Sequence, residues 1–176
     1  LFVPGDDESK ISAAIASEAD AIVLDVEDMV GPARKDIARQ VTRNTLFART
    51  RTARLFVRIN PLSTHSALND LVAVVGGCPD GIVVPKVAGG DDIRMLDHYL
   101  TALEARDNVS ARNIAILPIA SETAAAIFGF GSYMSASSRL CGLMWGCGDL
   151  SIDVGATANR DTSGQYLEPF RLARSL

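Results

Sequence analysis

The chain is short of several features that would mark a function outright. Its three cysteines, Cys78, Cys141 and Cys147, show no CxxC spacing, a pattern that fits neither a disulfide framework nor a thiolate zinc site. A reducing compartment is the simplest match, so a cytoplasmic location is expected. Basic charge is not in excess: 17 Lys+Arg stand against 21 Asp+Glu, a net charge of −4. No field attracts a phosphate backbone, and nucleic acid is not an expected partner. No apolar run approaches the roughly 18 residues of a membrane helix, since Ile82 to Val84 and Ala115 to Leu117 are bounded by Gly or Pro. No GxGxxG follows the first apolar run, no GxSxG elbow surrounds Ser121, and Gly129-Phe130-Gly131-Ser132 lacks the Lys-Ser/Thr of a phosphate loop. His65 and His98 have no second ligand at metal spacing, and Cys141 and Cys147 read as packing residues.

What is present points to a compact α/β domain. Of 176 residues, 48% are hydrophobic and 22% charged, enough to bury one core. Short apolar runs at Leu1 to Val3, Ala21 to Leu24, Arg54 to Ile59, Gly81 to Val84, Ile114 to Leu117 and Leu140 to Trp145 predict strands. Between them lie helical spacings: Ile11, Ala14 and Ile15; Ile37 and Val41 after Pro32; and the stripe Ile93, Leu96, Leu100, Leu103. Continuous apolar strands alternating with helices argue for a parallel sheet covered on both faces. Reactive residues follow the ends of five different runs, where a (β/α)8 barrel builds its site, rather than gathering at one crevice. Residues 1–176 are thus expected to form a single partial TIM barrel with about six βα units. A complete barrel takes about 250 residues, so its C-terminal part and a tail are expected to be missing. The chain reads as cut at both ends, opening on Leu1-Phe2-Val3 and closing on Tyr166, Leu167, Phe170, Leu172, Ala173 and Leu176, a largely apolar helix without a stop signal.

Three clusters could carry chemistry. Glu122 in LPIASET and Asp149 in WGCGDL each follow a predicted strand end by a few residues. Two carboxylates with open positions for water and substrate are what Mg2+ prefers; acids opening helices against the dipole would look the same. Gly146 and Gly148 flank the second position and permit close approach of backbone N–H groups. Arg58 interrupts the apolar run LFVRIN and, if inward, needs an anion: a substrate carboxylate or enolate, or one of Asp25, Glu27 and Asp28 tying adjacent strands together. Asp25, Glu27 and Asp28 crowd one strand end in LDVEDMV, where they could orient Arg58, hold water or transfer protons, or cap the next helix. Lys86, in VVPK, could bind an anion or form a salt bridge.

In order, the motifs LFVPG, LDVEDMV with GPARKDIAR, VRIN, GIVVPK, ILPIASET and WGCGDLSIDVGA resemble the citrate lyase β-subunit/HpcH-HpaI aldolase family, in particular its CoA-ester lyase branch, from Leu1 to about Gly155. The resemblance implies a TIM-type barrel, a homo-oligomer (trimer or hexamer), and Mg2+-dependent cleavage or formation of a carbon–carbon bond in a 3-hydroxy-acyl-CoA such as malyl-, citramalyl- or citryl-CoA, with an acyl-CoA and a 2-oxo acid as the other side of the reaction. It assigns Glu122 and Asp149 to the metal, Arg58 to the substrate, Glu27 and Asp28 to the neighbouring acidic pair, and Lys86 to the PK motif with its role open. Gly148 and Asp149 could add backbone donors to the substrate. In such lyases a catalytic acid and part of the CoA pocket come from a C-terminal region. A metal-dependent pyruvate aldolase without CoA, a noncatalytic acyl-CoA-binding protein and a citrate lyase complex subunit are the alternatives.

Overall fold

The structure is a computed structural model that describes residues 1–48, 53–110 and 113–176. Strands β1 (Phe2–Pro4), β2 (Ala21–Asp25), β3 (Arg54–Arg58), β4 (Gly81–Val84) and β5 (Ala115–Pro118) form one parallel sheet in the order β1-β2-β3-β4-β5. The crossovers carry α1 (Glu8–Ile15), α2 (Lys35–Phe47, after a 3₁₀ turn at Pro32–Arg34), α3 (His65–Val74) and α4 (Gly90–Asp107). Each strand lies beside its neighbour in sequence, with no reversal of direction. That singly wound order belongs to a barrel; an open doubly wound sheet reverses at a switch point. Helices α5 (Ala124–Gly129), α6 (Gly148–Asp153) and α7 (Glu168–Ser175) follow β5. No helix among the described residues is long and apolar enough to cross a membrane.

The period of two along each strand sorts side chains between two cores. Ile22, Leu24, Leu55, Val57, Ile82, Val84 and Ile116 pack with Ile93, Leu96 and Leu100 of α4. The alternate residues Phe2, Val23, Phe56, Val83, Leu117, Ile119 and Met144 form a separate cluster on the inner face. Asp25 and Arg58 are two residues beyond Val23 and Phe56 and share that inward direction at the C-terminal ends of their strands. Gly81 pairs with Phe56 across the sheet, and any Cβ there would run into the Phe56 ring.

Several expectations need correction. Leu140 to Trp145 does not form a continuous strand; it makes two isolated parallel bridges, Leu140 with Ile116 of β5 and Met144 with Ile119 just beyond it. The cause lies in Pro118, which has no N–H to donate to the next rung. Its carbonyl accepts from Met144 N at 2.8 Å, and between the bridges the register advances by one residue. In α2 the buried side chains are Ala38, Thr42 and Leu46, while Ile37 is exposed and Val41 only half-buried; the face toward the sheet is one residue out of phase with the apolar stripe. Helix α7 buries Phe170 and Ala173 but exposes Leu172, as it does the Leu176 that follows it, so it is amphipathic rather than largely apolar. Cys147 packs beside Leu150 and Phe170, whereas Cys141 is exposed.

The start of the sixth segment is fixed electrostatically. Arg139, its side chain fully buried, reaches Glu104 through a bidentate pair at 2.7 and 2.6 Å and Asp97 at 2.7 Å, both on α4. A buried guanidinium left without its carboxylate is costly. Glu104→Ala is therefore expected to lower unfolding stability by about 3–5 kcal/mol, read as a lower urea midpoint with an unchanged m-value.

Candidate active site

The site is built where the parallel strands end. Asp25, the last residue of β2, is fully buried and pairs in register with Arg58, the last residue of β3. Arg58 grips it with both edges of its fork, Nε to Oδ1 at 2.8 Å and Nη2 to Oδ2 at 2.5 Å. The same carboxylate accepts the backbone N–H groups of Glu27 (2.8 Å) and Met29 (2.9 Å), folding LDVEDM into a tight turn. Arg58 Nη1 lies 3.3 Å from Glu27 Oε2 and 3.7 Å from Asp28 Oδ2, and the guanidinium carbon sits 5.2 Å from the Phe2 ring centroid. Of the two arrangements open to Arg58, the strand-tying pair with Asp25 is present. It leaves Nη1 facing the acidic pair.

Glu27 is buried, while Asp28 is half-exposed at the rim. Burial pushes Glu27 above the ordinary carboxylate range, against the opposing pull of Lys86 and Arg58. Its Oε2 makes no hydrogen bond despite being buried.

Lys86 connects the remaining acids. It lies two residues past β4 with a left-handed φ of 53°, which turns its backbone N–H onto Glu122 Oε2 at 2.7 Å. Its ammonium reaches Glu27 Oε1 at 2.5 Å and Asp149 Oδ2 at 3.2 Å, with Asp28 at 3.8 Å. Burial pulls the ammonium pKa down, but the hydrogen bonds and charges of Glu27 and Asp149 more than reverse this, and the net shift is upward.

Glu122 and Asp149, 27 positions apart in the chain, thus meet the same lysine. Glu122 is buried, and loss of solvent pushes it up to about 7, opposed by the Lys86 N–H and reinforced by the charge of Asp149. Ser121 ties the turn after β5 to the end of the sixth segment: its hydroxyl donates to Gly146 O at 3.0 Å and accepts from Gly146 N at 2.8 Å. A Cβ at Gly146 would lie 2.7 Å from Ile119 Cγ2, 2.9 Å from Glu122 Cγ and 3.3 Å from Glu122 Oε1. The glycine leaves open the space beside that carboxylate. Gly148 is exposed, with nothing near an added Cβ, at the first turn of α6. Among the described residues no three His, Cys, Asp or Glu side chains converge to hold a metal by themselves. A cation here would rest on Glu122 and Asp149, with its other positions left to water and substrate.

Sequence reasoning missed the supports of the β2 loop. Lys35 Nζ donates to the carbonyls of Val26 (2.8 Å) and Glu27 (2.6 Å). Asn60 Nδ2 also donates to Val26 O, and both its Nδ2 and its backbone N–H bind Asp70 Oδ2 at 2.7 Å. Asp70 is fully buried on α3, and its other oxygen takes Arg39 Nε at 2.7 Å. One signal was available for Lys35: a cation in a first helical turn opposes the dipole and calls for another partner. Nothing in the local sequence marks Asp70.

The model of the HpcH/HpaI aldolase/citrate lyase family matches residues 1–170. Citrate lyase subunit beta of Haemophilus influenzae is 31% identical over 150 residues, covering 85% of this chain and 51% of that protein. The malyl-CoA/beta-methylmalyl-CoA/citramalyl-CoA lyase of Chloroflexus aurantiacus is 32% identical over 157 residues, covering 85% and 44%. A crystal structure of protein CitE from Mycobacterium tuberculosis in complex with magnesium, acetoacetate and coenzyme A superposes with a TM-score of 0.77 at 28% identity, covering 99% of this chain and 58% of that one. The chain spans about half the length of these curated relatives. With a parallel singly wound sheet, the motif order expected from its sequence and a family match over nearly its whole length, the chain belongs to the HpcH/HpaI aldolase/citrate lyase family.

Proposed function

We propose that the protein carrying this chain is a Mg2+-dependent carbon–carbon lyase that cleaves, or in reverse forms, a 3-hydroxy-acyl-CoA of the malyl-, citramalyl- or citryl-CoA class. The observation that carries this reading is the convergence of Glu122 and Asp149 on Lys86 beside a guanidinium anchored by Asp25. Asp25, Glu27, Asp28, Glu122 and Asp149 put five carboxylates around Arg58 and Lys86, an excess of negative charge that suits a divalent cation. The donors are hard oxygens, as Mg2+ requires, and the space beside Glu122 is kept free by Gly146. A family relative that acts on malyl- and citramalyl-CoA, and a relative solved with magnesium and coenzyme A, support the same chemistry.

Bound Mg2+ would supply Lewis acidity at the oxygen of the small acid where negative charge develops. The chain's own residues do the rest. Cleavage breaks the bond between the carbinol carbon and the thioester α-carbon. The hydroxyl proton passes to water ordered by Glu27 and Asp28 as the 2-oxo group forms, and the bond's electron pair passes into the thioester enolate, which takes up a proton to give the acyl-CoA. Arg58 presents its remaining N–H groups to the substrate carboxylate or enolate oxygen in a geometry that Asp25 has already fixed. Glu27 and Asp28 keep that guanidinium turned and order water, Lys86 adds positive charge, and the backbone at Gly148 and Asp149 offers donors. A homo-oligomer, trimer or hexamer, in the cytoplasm goes with this reading.

Release of 2-oxo acid from a panel of these thioesters, with and without Mg2+, tests the proposal. Glu122→Ala and Asp149→Ala, each shown folded by circular dichroism, should lower Mg2+-dependent turnover by about 100-fold or more; cleavage and metal affinity that survive both substitutions overturn it. Turnover of a free hydroxy-oxo acid without CoA would identify a pyruvate aldolase instead, and firm CoA-ester binding without turnover a noncatalytic or complex-bound subunit.

The position of Glu122 near pH 7 gives a second expectation. Its folded pKa stands above the reference value of 4.5, so the stability it lends is full below about 4.5 and is lost as pH rises to about 7. A cation needs the carboxylate form. Mg2+ affinity should therefore climb as pH rises through about 7, with proton release below that pH measurable by calorimetry in buffers of different ionisation enthalpy. Gly146→Ala should weaken Mg2+ binding by about tenfold at a stability cost of about 1–3 kcal/mol, because the added methyl displaces Glu122.

A further inference from the structure

The acids of the site are drawn together by one residue. Lys86 binds Glu122 through its backbone and Glu27 and Asp149 through its side chain, and it does so from a left-handed backbone conformation that side-chain-bearing residues seldom adopt. Its contacts are unequal. The ammonium is 2.5 Å from Glu27 but 3.2 Å from Asp149. Glu27 is buried, and Asp149 is about a quarter exposed at the start of a short helix. The firm anchor is therefore on the loop after β2 and the loose one on the carboxylate assigned above to the metal.

We infer that Lys86 is the internal counter-cation of this site, a positioning residue whose ammonium holds Asp149 near Glu122 in the absence of metal and yields Asp149 to a divalent cation while staying anchored on Glu27. The inference rests on the metal reading above and goes further, since it makes metal binding a competition between two cations for one carboxylate. The groups facing the ammonium are Glu27, Asp28 and Asp149, with Glu122 held by the adjacent N–H and Arg58 across Glu27. Removing the ammonium leaves these carboxylates repelling one another until a metal arrives. Arg at the same position keeps the charge.

The test measures Mg2+ affinity by isothermal titration calorimetry, and melting with and without Mg2+, for the wild-type protein, Lys86→Met, Lys86→Gln, Lys86→Arg and Glu122→Gln. Lys86→Met and Lys86→Gln should bind Mg2+ about five- to tenfold more tightly than wild type, melt lower without it and recover most of that loss at saturation, while Lys86→Arg stays within about twofold of wild type. A Lys86→Met chain that folds only with Mg2+ supports the inference as well, and Lys86→Gln then supplies the affinity. If wild type binds Mg2+ in a manner abolished by Glu122→Gln, but both neutral variants bind it equally or more weakly, the counter-cation role is overturned and the metal reading stands. If no protein in the set binds Mg2+, both fall.

Discussion

The pairing of Arg58 with Asp25 is the interaction on which the site depends. It joins the last residues of two neighbouring strands, in register and on the inner face. It also uses both carboxylate oxygens twice, since each accepts a backbone N–H from the turn that follows. A buried carboxylate taken from water must recover its hydration from such partners, and four donors do so. The consequence reaches beyond stability. By fixing Arg58 on one side and the Glu27 backbone on the other, Asp25 sets where the guanidinium's free edge meets Glu27, and Glu27 in turn sets where Lys86 can reach.

Around that pair the molecule is organised to tolerate acidic crowding. Glu27 and Glu122 are both driven upward by burial, and each is partly restrained by a nearby donor or cation. The backbone supports are as important as the charges. Lys35 and Asn60 hold the carbonyls of the β2 loop, and Asp70 holds Asn60 from the next helix. The acids therefore sit on a frame fixed by other residues rather than on a free loop, the condition for preorganised electrostatics.

The sixth segment shows how a single residue shifts a boundary. Pro118 removes one rung from the ladder between β5 and Leu140 to Trp145, the register advances by a residue, and two bridges stand where a six-residue, largely apolar run promised a strand. The segment still runs parallel beside β5, and Ser121 and Gly146 still lock its far end to the end of β5. Asp149 consequently reaches the site despite the broken ladder.

Much of this was legible in the residues. Apolar runs of the right length between helical stripes gave the first five strands to within a residue or two, because burial on both faces imposes one composition on every strand. Acids and a guanidinium at or beyond several run ends pointed to the candidate site, because parallel strands bring their C-terminal ends to one side wherever the chain returns through a helix. The phase of α2, the amphipathic character of α7 and the choice among the anions open to Arg58 were not legible. Each depends on which face meets which neighbour, and Ile37 or Leu172 satisfies a stripe on paper whether or not anything covers it. By itself, then, the sequence determined the order of elements, the chemistry available at their ends and the family. The tertiary structure alone decided which oxygen met which nitrogen: that Asp25 takes the fork of Arg58, that Lys86 spans Glu27, Glu122 and Asp149, and that Asp70 braces the turn from another helix. Local patterns record what a residue prefers to bury, whereas a pairing between distant charges exists only once the backbone has set their separation.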